Sequence, residues 1–334
     1  MHAIPAIFFL LLSTYLGHRL CRVLLPNLDR AGYVARWVIA LPAAFLSGTL
    51  LVTWATYLTA SAMRHSESPM AIANIIVMST LSIVLAGDFF YRRRRGRSAT
   101  PVTAETHGRV SFDVVTAATG LLLGAVIMFH TCRIEGDTLI LGRTAFGDLN
   151  IHLGMARSFS RGNNFPTGYM AYAGSDIRYH FMFYFLVGNL EFLGLRLDWA
   201  INLPSILAFA SVLLLLHALG SSVGRDARVG ALTVLFFLMR SSPAAFVYFA
   251  HLPGGLLDKF RALFHTRTFI GLTTHETWGI WNLNVYAVER HFGFAFGLVL
   301  IALLYLVRIS GLDSGPSLLR APWGKPSRHA SFPS

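Results

Sequence analysis

The sequence predicts an all-α integral membrane protein with about seven transmembrane helices, a juxtamembrane helix over 179–197 lying in the interface, and two external loops. Three observations predict it. Mean hydropathy is +0.55. Hydrophobic residues fill 54% of the 334 positions, against 13% charged. Apolar runs of about 20 residues, long enough to cross about 30 Å of hydrocarbon, recur along nearly the whole chain and leave no stretch for a separate soluble domain.

The runs fall at 3–17 (extending to about 25), 37–60, 70–91, 112–131, 179–197, 199–219, 229–250 and 292–310. The first is not a secretory signal peptide, because Arg19 and Arg22 follow its apolar stretch and no small-residue cleavage pattern is present. Orientation follows from arginine. Arg19, Arg22, Arg30 and Arg36 put the first connection inside. Arg92 to Arg95, Arg97 and Arg109 do the same for the third, against only Arg64 in the second, so the N-terminus is expected outside.

Eight crossings would then strand "SSVGRDARVG" (221–230) and the basic tail, with Arg320, Lys325 and Arg328, on the outside. Removing one crossing restores the rule. The run 179–197 is the one to remove, since it contains Asn189 and Glu191 and a mid-bilayer carboxylate costs about 2.5–3.5 kcal/mol. It is expected to lie in the outer interface with its aromatic rings at headgroup level. Seven crossings place the C-terminus in the cytoplasm and the loops 132–178 and 251–291 on one external face. Two such long loops on one face point to an external site above a helical base. The chain divides into a three-helix membrane segment with a basic cytoplasmic loop (1–111), a membrane core (112–310) and a disordered basic tail rich in Ser, Pro and Gly (311–334).

Net charge is +12, but "YRRRRGR" directly follows an apolar run, where arginine sets topology; the lipid bilayer is a partner and nucleic acid is not. Cys21 and Cys132 fall on opposite sides of the bilayer in this topology, which excludes a disulfide between them.

The ionisable chemistry gathers in the two loops. In "FGDLNIHLGMARSFSRGNNFP" (146–166), a helix would put Asp148 and His152 at i and i+4 on one face. That pair suits a general base or, with an acid from the other loop such as Glu276, a divalent cation; Asp148 as a plain helix-start residue is the simpler reading. Asp176 and Arg178 precede the interfacial helix, where an arginine can hold a phosphate with two hydrogen bonds or merely flank the membrane. In "THETWGIWNLNVYAVERHFG", "HETWG" lacks the second histidine of a zinc-protease helix, and Trp278 and Trp281 fit interface anchoring better than sugar stacking. Glu289, Arg290 and His291 open the last crossing. Gly120 with Gly124, and Gly293 with Gly297, have the spacing of close helix packing, and Arg240 inside 229–250 must face protein or water.

The stretch "GDLNIHLGMARSFSRGNNFP", followed by "YHFMFYFLVGNLEFLGLRLDWAINLPS" and "GRDAR", resembles the N-terminal half of the GT-C superfamily of membrane glycosyltransferases, of the protein mannosyltransferase and aminoarabinose transferase type. The likeness covers roughly 112–250. Asp148, His152, Ala156 and Arg157 stand at the family's first-loop positions, 179–197 at its non-crossing juxtamembrane helix, and "NLPS" at its next crossing. Leu149 replaces the family's usual second acid, and "SDIRYH" lacks its paired prolines. The family continues through further carrier-binding helices, which here would come from a separate chain.

The resemblance implies an inverting transfer from a polyprenyl-phosphate-linked sugar, with Asp148 as base and His152 orienting it or helping to hold a divalent cation. Asp258, Glu276 and Glu289 are the choices for a second-loop acid. The expected substrate-binding residues are Arg157, Asp176, Arg178, Tyr179, His180, Glu289, Arg290 and His291, with Arg178, Arg290 and His291 neutralising the leaving phosphate. The competing expectation is a non-catalytic carrier or flippase for a lipid-linked glycan, or a shortened relative keeping only the scaffold.

Overall fold

A computed structural model describes residues 3–29, 33–94, 110–142, 145–172, 174–239, 244–266 and 281–313. The described chain is all α apart from one small hairpin. Six helices are long and apolar enough to cross a membrane: α1 (Ile4–Leu24), α2 (Arg36–Ala62), α3 (Pro69–Arg94), α4 (Val110–Thr131), α7 (Leu197–Gly224) and α12 (Phe292–Ile309). The protein is thus a multi-pass integral membrane protein. Its outward surface agrees, since Leu11, Leu51, Ile83, Leu122, Val299 and Leu306 stand exposed on these helices, where only lipid makes apolar exposure favourable.

The expected crossing over 229–250 is described as two helices, α8 (Ala227–Met239) and α9 (Ala244–His251); Arg240 lies outside the described residues. So does nearly all of the expected tail, from residue 314 on.

The centre of the bundle is α7, buried along almost its whole length and packed on α2, α4, α8, α12 and the short helix Met182–Phe192. Small residues set the closest approaches. A Cβ added to Gly17 of α1 would lie 2.0 Å from the Ala44 carbonyl oxygen of α2, and one added to Gly48 would lie 1.9 Å from the Ser13 carbonyl oxygen. Backbones this near exclude any side chain, and close packing of this kind is what holds helices together in lipid. Gly120 meets Ala210 of α7 and Gly297 meets Leu46 of α2, so both sequence-identified glycine pairs lie at helix contacts. Inside the bundle, Asp113 of α4 accepts from the backbone N–H of Ala35 at 2.9 Å and sits 2.9 Å from His217 Nε2 of α7.

One end of the bundle carries the remaining elements. α4 runs into an antiparallel hairpin, β1 (Cys132–Glu135) and β2 (Thr138–Leu141), whose turn places Gly136 at φ +57°, the left-handed position that two-residue hairpins favour. Asp198 at the start of α7 fixes the hairpin, accepting from the Ile134 N–H at 3.0 Å and from Arg196 through two 2.7 Å bonds. Next come α5 (Phe146–Ser160) and α6 (Met182–Phe192). Beyond α9, the short α10 (Leu256–His265) exposes Leu256, Leu257 and Phe260, and Asp258 accepts from the Gly255 N–H at its start.

α6 agrees with the sequence expectation that 179–197 does not cross: at 11 residues it spans about 16 Å, too short. Every residue from Phe183 to Glu191 is buried within the protein. Gly188 lets it press on α5, where a Cβ would come within 2.4 Å of the Ala156 carbonyl oxygen. Its two polar residues, which argued against burial, have partners. Asn189 exchanges hydrogen bonds with Asn74 of α3 at 2.6 and 3.2 Å. Glu191 accepts from Ser160 at 2.6 Å and pairs with Arg157 at 3.3 Å.

Candidate functional site

The candidate site is built where α5, the entry to α6 and the junction of α11 (Trp281–Val288) with α12 come together. Asp148 and His152 do share a face of one helix: Asp148 sits in the first turn of α5 with its side chain exposed, and His152 one turn on is 2% exposed. The His152 ring is stacked on Tyr184 of α6, centroids 4.3 Å apart and planes at 17°. On its other side Tyr179 Oη lies 3.4 Å from Nε2.

From the far end of the chain comes Glu289, whose Oε2 lies 4.0 Å from His152 Nε2, 3.9 Å from His180 Nε2 and 3.5 Å from His291 Nδ1. His180 and His291 face each other at a centroid distance of 3.6 Å, and Tyr184 Oη is 3.2 Å from His291 Nδ1. One ligand atom from each of His152, His180 and Glu289 falls within 4.8 Å of the others, the one such histidine, cysteine or carboxylate group among the described residues.

Burial governs the electrostatics. It pushes His152 down to about 4, with the neighbouring His180 adding to the shift, and His291 down to about 3 for the same reasons in the same order. His180 is also lowered by burial. The imidazoles are therefore uncharged at neutral pH, and their contacts with Glu289 are not ion pairs. Glu289 itself is raised, first by burial and then by repulsion from Asp148. Its Oε2 is buried and accepts no hydrogen bond.

Arg290 stands apart from its neighbours in sequence, and this corrects its expected place at a substrate phosphate. It is 1% exposed, and its guanidinium turns into the bundle. It donates to the Ala287 carbonyl (2.8 Å), Asn202 Oδ1 (3.0 Å), the Met128 carbonyl (3.3 Å) and Thr131 Oγ1 (2.8 Å), tying together the ends of α4, α7 and α11. Burial lowers it to about 10, which leaves it charged at neutral pH.

Other expected site residues are likewise elsewhere. Arg157 belongs to the Glu191 pair, on a different side of α5 from His152. Asp176 and Arg178 are exposed in the loop before α6, where Asp176 bridges to Gly168, and neither joins the cluster. Of the three second-loop acids, Glu289 is beside His152, Asp258 caps α10, and Glu276 lies outside the described residues. Sequence reasoning missed Tyr184, which touches both His152 and His291; as one aromatic among many in "YHFMFYF" it gave no separate signal.

No protein-family model, no curated protein and no solved structure matches the chain.

Proposed function

We propose that this chain is a membrane-embedded transferase of the GT-C kind, moving a sugar from a polyprenyl-phosphate carrier to an acceptor hydroxyl at the end of the bundle that carries Asp148. The observation supporting it is the meeting of two segments some 140 residues apart, Asp148–His152 and Glu289–His291, near one exposed carboxylate at one end of an apolar bundle. In this reading the acceptor oxygen attacks the anomeric carbon while Asp148 takes its proton. The bond from that carbon to the phosphate oxygen breaks, and the polyprenyl phosphate departs with inversion. The imidazoles of His180 and His291 supply polar contacts for the phosphate.

The reading places this end of the bundle outside the cell membrane, with the N-terminus external and the C-terminus cytoplasmic. Transfer of labelled sugar from a polyprenyl-phosphate donor in membranes, with any partner chain co-expressed, tests it. Asp148→Asn is expected to lower turnover by about 100-fold or more while donor binding persists. Undiminished turnover in Asp148→Asn removes the assignment, and donor binding without turnover in the unaltered chain favours a carrier instead.

A further inference from the structure

We infer that His152, His180 and Glu289 form a binding site for a zinc-class divalent cation. The assignment does not rest on the transfer reading. Three ligand atoms, His152 Nε2, His180 Nε2 and Glu289 Oε2, converge from α5, the entry to α6 and the α11–α12 junction, all within 4.8 Å of one another. Around a tetrahedral zinc with bonds of about 2.1 Å, ligand atoms stand about 3.4 Å apart. The two distances to Glu289, 4.0 and 3.9 Å, exceed that by about 0.5 Å, and the two histidine nitrogens lie within 4.8 Å of each other, so side-chain rotations draw the three ligands in.

The second observation is an unmet demand. Glu289 Oε2 is buried without a donor, although three imidazole nitrogens stand around it. A carboxylate oxygen withdrawn from water and left unpaired is unfavourable, and imidazole nitrogens 3.5 to 4.0 Å away do not satisfy it. A cation bound by all three does. Tyr184 fixes the plane of the His152 ring. Tyr179 Oη, now 3.4 Å from Nε2, is the group a cation displaces, and its side chain is exposed enough to swing away.

Two imidazoles and one carboxylate select zinc or a similar first-row ion over magnesium or calcium, which prefer all-oxygen shells. Three protein ligands leave a coordination position open, the arrangement of reactive rather than purely structural zinc sites.

The test is Zn2+ titration, with Co2+ as a visible-absorbing stand-in, of the full chain purified in detergent and stripped with a chelator. About one ion per chain is expected, with the intense Co2+ bands of a four-coordinate site. Loss of a mere outer partner weakens metal sites by about 10- to 100-fold, so His180→Ala and Glu289→Gln are each expected to weaken binding at least that much. His180 is half-exposed, so its removal is expected to leave the fold in place, which circular dichroism verifies. His251→Ala, at an exposed remote histidine, is expected to bind as the unaltered chain does. No stoichiometric binding by the folded chain, binding that survives His180→Ala, or equal loss in His251→Ala overturns the assignment. Since no sugar donor is present, failure here is separate from failure of the transfer reading.

Discussion

The imidazole of His152 lies nearly flat on the phenol ring of Tyr184, 4.3 Å between centroids and 17° between planes, and both rings are almost out of reach of water. The stack helps to explain how a histidine stays neutral near Asp148, because burial outweighs that carboxylate's attraction for a proton. Tyr184→Ala is expected to cost about 3–5 kcal/mol of stability, typical of a large buried aromatic. It is also expected to let water reach His152, so that its titration midpoint moves up from about 4 toward the ordinary value. NMR of labelled imidazoles checks the second effect and thermal unfolding in detergent the first.

Glu191 and Arg157 make an asymmetric pair, the carboxylate side chain 4% exposed and the guanidinium 54%. Removing the two partners therefore has unequal results. Arg157→Ala is expected to cost under about 1 kcal/mol, as for an exposed ion-pair partner. Glu191→Ala is expected to cost about 2–3 kcal/mol, because it strands the Ser160 hydroxyl and opens a gap between α5 and α6. A double-mutant cycle read by unfolding measures the coupling. Equal costs would mean that the carboxylate is hydrated and that α6 is less deeply held.

At the crossing of α1 and α2, Gly48→Leu forces side-chain atoms against the Ser13 carbonyl and separates the helices. A loss of about 2–3 kcal/mol or more is expected, while Gly87→Leu on α3, where an added Cβ meets nothing within 4 Å, is expected to be nearly neutral. Comparing the unfolding midpoints of the two variants decides it.

Cys132 is fully buried in β1, and burial pushes its thiol up to about 11. Thiolate is the reactive form, so maleimide labelling at about pH 8 is expected to leave Cys132 unmodified until the chain unfolds. Mass spectrometry of labelled native and denatured protein measures this. With the partly buried Cys21 replaced, the same inertness leaves introduced cysteines at exposed positions readable against a quiet background when the sidedness of the loops is mapped.

The membrane helices were legible because a single periodicity-free signal, apolar length, carries them: the runs beginning at residues 3, 37, 70, 112, 199 and 292 each lie on one of the six long helices. The helix bearing Asp148 and His152 was legible from its spacing. What sequence could not convey is partnership. Glu191 reads as a reason to stay out of the interior until Ser160 and Arg157 are seen beside it. Arg290 reads as a membrane-edge charge until Asn202 and Thr131 receive it. The hairpin at 132–141 was overlooked although "EGDT" is a turn signal, because its strands are only four residues long and fall in what reads as a loop. The meeting of Glu289 with His152 and His180 depends on how α12 enters the bundle, and no local pattern records that.

Arg290 shares its guanidinium only with carbonyls, an amide and a hydroxyl, so no opposite charge cancels it where it is hydrogen-bonded. Such a charge acts beyond its own contacts: at an effective dielectric of about 20, a unit charge about 8 Å away is worth about 2 kcal/mol. The influence is already visible in His152, which Arg290 helps to keep unprotonated. Beneath the cluster, Arg290 thus adds positive charge without presenting its guanidinium to an incoming molecule.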